Sequence, residues 1–144
     1  LNSAFKNKIL NSFADINKAI YALAKSDAEH YGLTVVQLKA IYQISAQPNS
    51  GLADLAEQLK LTNSTVSGVV DRLVQHEYVE RRTPPEDRRA ITLNLAPKGE
   101  QILEQMLNHD SLLVERLREI NQLPETDLQL LLELHQKILT ILSK

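Results

Sequence analysis

Cysteine is absent from the 144-residue chain. That excludes disulfides, a thiol nucleophile, thiol redox sensing and cysteine-ligated zinc, and it is compatible with a reducing cytoplasm. Glycine (4) and proline (5) are both scarce, which favours long helices over a β fold with many turns. No uninterrupted apolar run approaches the roughly 20 residues a membrane-crossing helix needs. Lys6, Asn7, Lys8 and Asn11 interrupt the start, so it lacks the pattern of a signal peptide. Positive charge is not in excess either. The net charge is -2, split as +2 over residues 1–50, -1 over 51–100 and -3 over 101–144. Bulk attraction to nucleic acid is thereby excluded, and any such role has to rest on a local patch.

Catalytic chemistry is missing as well. There is no triad, metal cluster or phosphate-cradling glycine loop. The carboxylates of "PPEDRR" lie on a loop tip with no matching pocket. His30, His76, His109 and His135 are scattered, and Leu113 rather than a ligand stands four residues after His109. No catalytic residue, metal site or cofactor is expected, and the chain does not read as an enzyme.

What is present is a 43% hydrophobic chain, long enough for one domain over residues 1–144 with a useful core. Phe5, Ile9, Phe13, Ile16, Ile20 and Leu23 form one helical stripe within 5–24. Gly32 ends that segment, and Thr34 is placed to cap a helix over 35–46. Its apolar face is read as Val35, Leu38, Ile41, Tyr42 and Ser45. "QPNSG" at 47–51 is a turn. From Leu52 to Val74 the pattern fits a short helix, a break near "KLTN", and a second helix capped by Thr62. The period then changes. Ile91, Leu93 and Leu95 alternate with Thr92 and Asn94, which predicts a strand. Tyr78–Arg82 is its expected partner, with "TPPEDRR" as the stiffened hairpin loop. Beyond Pro97 a helical stripe runs through Ile102, Leu103, Met106, Leu107, Leu113, Val114 and Leu117. "NQLPE" breaks it, and a last helix over 125–142 is apolar nearly all round. Such a helix needs cover on several sides, and a partner chain is its simplest source.

The stretch "LADLAEQLKLTNSTVSGVVDRLV" (52–74) has the layout of a helix-turn-helix. Ala56 is the small residue at the helix crossing, and Leu52, Leu55, Leu59, Leu61, Val66 and Val69 brace the angle. Lys60 stands in the turn where glycine is frequent. An ordinary helical hairpin is the plainer alternative. The second helix opens on Asn63, Ser64, Thr65, Ser67 and Gly68, whose short side chains permit close approach to a major groove. Capping accounts for Thr62, Asn63 and Ser64 without a ligand, but less well for Ser67 and Gly68, since an interior glycine costs about 1 kcal/mol. The hairpin that follows gathers four arginines at the end of its first strand and on its tip, within "RRTPPEDRR". They suit a narrow minor groove or flanking phosphates. The alternative is a solvated tip with Glu86 and Asp87 partly neutralising Arg88 and Arg89.

Residues 52–103 resemble the MarR family of winged-helix transcription regulators. "STVSGVVDRLVQHEYVER" is similar to that family's recognition helix and first wing strand. "EDRRAITLNLAPKG" is similar to its wing signature, an Asp-x-Arg followed by an alternating strand and a glycine. The flanking helices match by pattern only.

The resemblance implies a fold that is mainly α with a small β-hairpin wing. In it a winged helix-turn-helix, residues 34–100, is flanked by N- and C-terminal dimerisation helices, residues 1–33 and 101–144. It implies that Arg89 enters the minor groove, that Asp87 supports the wing tip, and that Arg88 meets phosphate. Asn63, Ser64, Thr65, Ser67 and Gly68 fall on the groove-facing part of the recognition helix. Arg72 reaches backbone, or pairs with Asp71 or Glu77. Ala96 departs from the Thr that often caps the next helix in the family, while Pro97 still favours a start there.

The implied function is a dimeric, sequence-specific, double-stranded-DNA-binding transcription regulator of the cytoplasm. It would be a repressor released by a small-molecule effector, acting on a pseudo-palindromic operator with half-sites ~34 Å apart. Tyr21, Tyr31 and Tyr42 are candidates to line an effector pocket, though packing in a core or interface is the plainer reading. The alternative function is a winged-helix protein–protein interaction module without sequence-specific DNA binding.

Overall fold

The computed structural model describes residues 3–87 and 89–144, apart from the side chains of 3–7, 109 and 110. The side chains of Phe5 and His109 therefore lie outside the described residues, as does Arg88 altogether.

The first helix, α1, runs Ser3–His30, beyond the 5–24 stripe and up to the expected stop at Gly32. Ala24, Asp27 and Ala28 continue the stripe and are buried, so a carboxylate occupies an apolar-stripe position. Gly32, at φ 66° in the left-handed region, ends the helix. The Leu33 N–H reaches back to the Ala28 carbonyl at 2.8 Å, as a glycine-terminated helix requires. Thr34 then caps α2, Val35–Ala46. Its hydroxyl accepts from the Gln37 N–H at 3.1 Å, and the Gln37 side chain accepts from the Thr34 N–H at 2.9 Å. Two orphan donors are satisfied reciprocally.

The buried face of α2 is Val35, Leu38, Ala40, Ile41 and Ile44. Tyr42 and Ser45, expected on that face, are exposed, Tyr42 by 63%. Each residue steps about 100° around a helix. Around the helix Tyr42 falls between the buried Val35 and Leu38, so the difference lies along the axis: beyond Ala40 only Ile41 and Ile44 are buried.

Helices α3, Leu52–Leu59, and α4, Asn63–Gln75, form the helix-turn-helix. Ala56 sits at the crossing, 3% exposed. Lys60 adopts φ 54°, ψ 43°, the left-handed conformation that glycine takes without steric cost. Leu61, expected to brace the turn with its side chain, is exposed. Its backbone N–H holds the turn instead, donating to the Ala56 carbonyl at 3.0 Å.

Strands β1, Val79–Arg82, and β2, Thr92–Leu95, pair antiparallel, with Val79 opposite Leu95 and Arg82 opposite Thr92. The expected alternation holds only in part. Ile91 is exposed and outside the strand, while Asn94, read as outward, is 7% exposed. The Asn49 N–H donates to the Asn94 carboxamide oxygen at 3.2 Å. The Leu93 N–H donates to the Ser50 carbonyl at 2.8 Å, and the Asn49 N–H to the Leu93 carbonyl at 3.1 Å. The turn after α2 thus adds a short third rung to the wing, and that rung is what buries Asn94.

Helix α5, Pro97–Gln105, starts on its proline with Ala96 contributing no side-chain cap. One π-helical turn, Met106–Asp110, follows. Then come α6, Leu112–Ile120, and α7, Glu125–Leu142. The single stripe read from 102 to 117 is therefore interrupted at Ser111.

The largest fully buried side chains are Ile41, Ile44, Leu55, Leu73, Leu93, Val66, Val70 and Val79. All belong to α2, α3, α4 and the two strands, so the core lies directly behind the helix-turn-helix and wing. Neither α6 nor α7 buries a residue fully apart from the cap Ser111, and Leu132 and Leu142 are 67% and 73% exposed. Among the described residues no helix is long and apolar enough to cross a membrane.

Candidate nucleic-acid interface

The N-terminus of α4 is built by capping chemistry. Thr62 accepts from the Thr65 N–H at 3.2 Å, and the two hydroxyls are 2.9 Å apart. That use accounts for Thr62 and part of Thr65. Asn63 and Ser64 are exposed, and neither makes a side-chain hydrogen bond among the described residues. Ser67 is half-buried. Gly68 is exposed, and a Cβ added there would meet nothing within 4 Å. Nothing inside the chain requires glycine at this position. Gly68→Ala is therefore expected to stabilise the fold by about 0.5–1 kcal/mol through helix propensity, read as a raised urea midpoint with an unchanged slope. A destabilised variant would show that the backbone at 68 carries strain inside the free chain.

Arg72 is exposed and has no ion pair among the described residues. Neither expected partner holds it. Asp71 instead pairs with Arg81 on β1, which ties the recognition-helix candidate to the wing. A second tie joins the end of α4 to the start of α5. The Lys98 ammonium donates to the His76 carbonyl at 3.1 Å and sits 4.4 Å from the centre of the Tyr78 ring. A cation at the negative pole of a helix is favourable. Sequence reading counted Arg81 among the arginines suited to DNA and missed Lys98. Only the folded chain brings residues ten and twenty-two positions apart into contact.

At the wing, Arg82 pairs with Glu80 at 3.2 Å. The tip is organised by Asp87, whose carboxylate accepts from the Arg89 N–H at 2.9 Å. Its own N–H reaches the Pro84 carbonyl at 3.3 Å, and its carbonyl accepts from the Ala90 N–H at 3.2 Å. Asp87 is thus committed to the backbone of the tip. The Arg89 side chain is exposed and has no ion pair among the described residues. Arg81 and Arg82 are neutralised by local carboxylates, whereas Arg89 carries its charge outward. Arg88 lies outside the described residues.

Among the described residues, open clefts indent the winged half, three of them of about 560, 330 and 310 Å³. The first is lined by Glu77, Glu80, Arg81 and Lys98 among others. The other two lie against Pro84 and Asn94. Tyr21, Tyr31 and Tyr42 line none of these three. Tyr21 and Tyr42 are exposed, and Tyr31 packs at the edge of the core beside His30.

Residues 33–91 match the model of the MarR family. The chain is 27% identical over 108 residues to the HTH-type transcriptional regulator YsmB of Bacillus subtilis, covering 70% of this chain and 74% of that one. It spans between 51% and 61% of the length of further curated relatives. Its fold matches the multiple antibiotic-resistance repressor of Listeria monocytogenes with a TM-score of 0.63 and 25% identity, over 100% of this chain and 98% of that one. It also matches a MepR mutant of S. aureus bound to an oligodeoxyribonucleotide, with a TM-score of 0.62 and 20% identity, over 93% and 97%. A helix-turn-helix with its hairpin wing, set between long helices, identifies residues 33–91 as a MarR-family domain, and along its whole length the chain is similar in fold to the Listeria repressor.

Proposed function

We propose that the chain is a dimeric, sequence-specific DNA-binding repressor of the cytoplasm, released from a pseudo-palindromic operator by a small-molecule effector. The observation that carries this reading is the pairing of two features. Among the described residues Asn63, Ser64, Ser67 and Gly68 open α4 without an evident task, and the wing that follows holds out Arg89 without a counter-ion. In this reading Asn63, Ser64, Thr65, Ser67 and Gly68 meet base edges or phosphates, and Arg72 reaches the backbone. Arg89 enters the minor groove, Arg88 contacts phosphate, and Asp87 holds the tip. Residues 34–100 bind DNA. The helices of 1–33 and 101–144 bind the second copy, covering the apolar surface that α1, α6 and α7 leave exposed. The DNA-bound MepR relative and the Listeria repressor support the same assignment.

Selection of duplexes from a random library tests it. The expected winner is two-fold symmetric with half-sites ~34 Å apart, and its affinity falls steeply with salt as counterions are released. No enriched sequence, with weak binding to every duplex, would instead favour a winged helix that binds protein. The dimer has its own test. Truncation before Asp127 removes nearly all of α7 and is expected to abolish the dimer in sedimentation velocity. A well-folded monomer after that cut would contradict the argument from the all-round-apolar helix.

A further inference from the structure

The helical spacing of Ile102, Met106, Leu113 and Leu117 is continuous, and residues 105–112, "QMLNHDSL", contain neither glycine nor proline. No glycine or proline ends a helix there, and the local signal is limited to Ser111, a residue type that can cap a new helix. Yet the helix stops. A π-helical turn occupies Met106–Asp110, Ser111 is extended at φ -126°, ψ 116°, and α6 begins anew at Leu112.

The cause lies on another helix. Asp27 of α1 is 3% exposed. Its Oδ1 accepts from the Leu112 N–H at 2.8 Å, and its Oδ2 accepts from the Leu113 N–H at 3.2 Å and from the Ser111 hydroxyl at 2.6 Å. The Ser111 hydroxyl oxygen in turn accepts from the Val114 N–H at 3.0 Å. In an unbroken helix the N–H groups of Leu112 and Leu113 would bond to the carbonyls four residues back. Here a carboxylate takes their place, at the helix end where the dipole favours an anion. The dependence runs both ways, because a buried carboxylate without hydrogen bonds is costly.

We infer that Asp27 is a positioning residue: its carboxylate holds open a break in what is otherwise one helix from Pro97 to Ile120. The break sets the direction of α6 relative to the winged half. The segment has two arrangements available, broken when Asp27 engages it and continuous when Asp27 does not, and each points α6 differently. Granting the DNA-binding reading, the same residue sets the spacing of the two recognition helices.

The direct test is the Ser111 Cα chemical shift in the isotope-labelled full chain. In Asp27→Ala it is expected to move from the extended to the helical range. Adding Leu112→Pro should return it to the extended range. Proline is excluded from a helix interior but favoured at the first helical position, and it requires an extended residue before it. A folded Asp27→Ala chain with Ser111 still extended overturns the inference. If Asp27→Ala does not fold, the double variant decides. Folding with an extended Ser111 supports the inference, and failure to fold overturns it.

A second arm selects operators with each variant. A changed half-site spacing for Asp27→Ala, reversed by Leu112→Pro, supports the link to recognition-helix spacing. An unchanged spacing with a helical Ser111 overturns that link. Absence of any selected operator for the unmodified chain counts against the DNA-binding reading, while the Ser111 result, which involves no DNA, stands apart from it.

Discussion

Arg89→Ala is expected to weaken binding to the selected operator by roughly 30-fold or more. The estimate is about 1–3 kcal/mol for each arginine–DNA contact, with one such contact from each wing of the proposed dimer. The physical basis is that Arg89 is exposed and carries no counter-ion within the described chain, so it pays no internal pairing cost when it meets DNA. The salt dependence of binding should become shallower, because each lost cationic contact releases fewer counterions. Anisotropy titrations at several salt concentrations measure both effects. Asp87→Ala should lose less, since it removes only the hydrogen bond that holds the Arg89 backbone. Both variants should remain dimeric. Operator affinity equal to that of the unmodified chain would mean the wing assignment is wrong.

Gly99→Ala is expected to destabilise the fold by about 3 kcal/mol, at the upper end of ordinary overpacking. A Cβ at Gly99 would overlap the carbonyl oxygen of Tyr78 and meet the Leu95 Cδ2 at 3.4 Å. The obstructing atom is backbone, and that same carbonyl already accepts the Ala96 N–H at 3.0 Å. The junction of α4, wing and α5 would have to open. Urea denaturation measures the loss, and an unchanged midpoint would show that α5 can shift without cost. The contrast with Gly68 is instructive. The same substitution is expected to stabilise at one glycine and destabilise at the other, because one faces open space and the other faces a carbonyl.

Much of the winged half was legible from local signals. Thr34 and Thr62 cap where their hydroxyls predicted, and α2 spans the expected residues, as α7 does outside the winged half. The hairpin falls where the period switches from helical to alternating. The candidate interface was legible in part. The small polar opening of α4 followed from residue type and spacing, whereas the role of Asp87 came from the family resemblance alone. The pairing of Asp71 with Arg81 rather than Arg72 did not, because helix and strand must dock before that choice exists.

The sequence by itself determined where helices and strands begin, where they stop at glycine, proline or a capping hydroxyl, and which stretches carry apolar stripes. Those choices depend on neighbours within about one turn, and backbone sterics and capping bonds settle them locally. The tertiary structure alone decided that Asn94 is buried beneath the turn after α2, that Tyr42 is exposed, and that a helix without a breaker residue breaks at Ser111. In the last case the deciding group is a carboxylate 84 residues away along the chain. A hydrogen bond of that reach exists only after α1 has packed, and the local sequence supplies only the capping hydroxyl of Ser111.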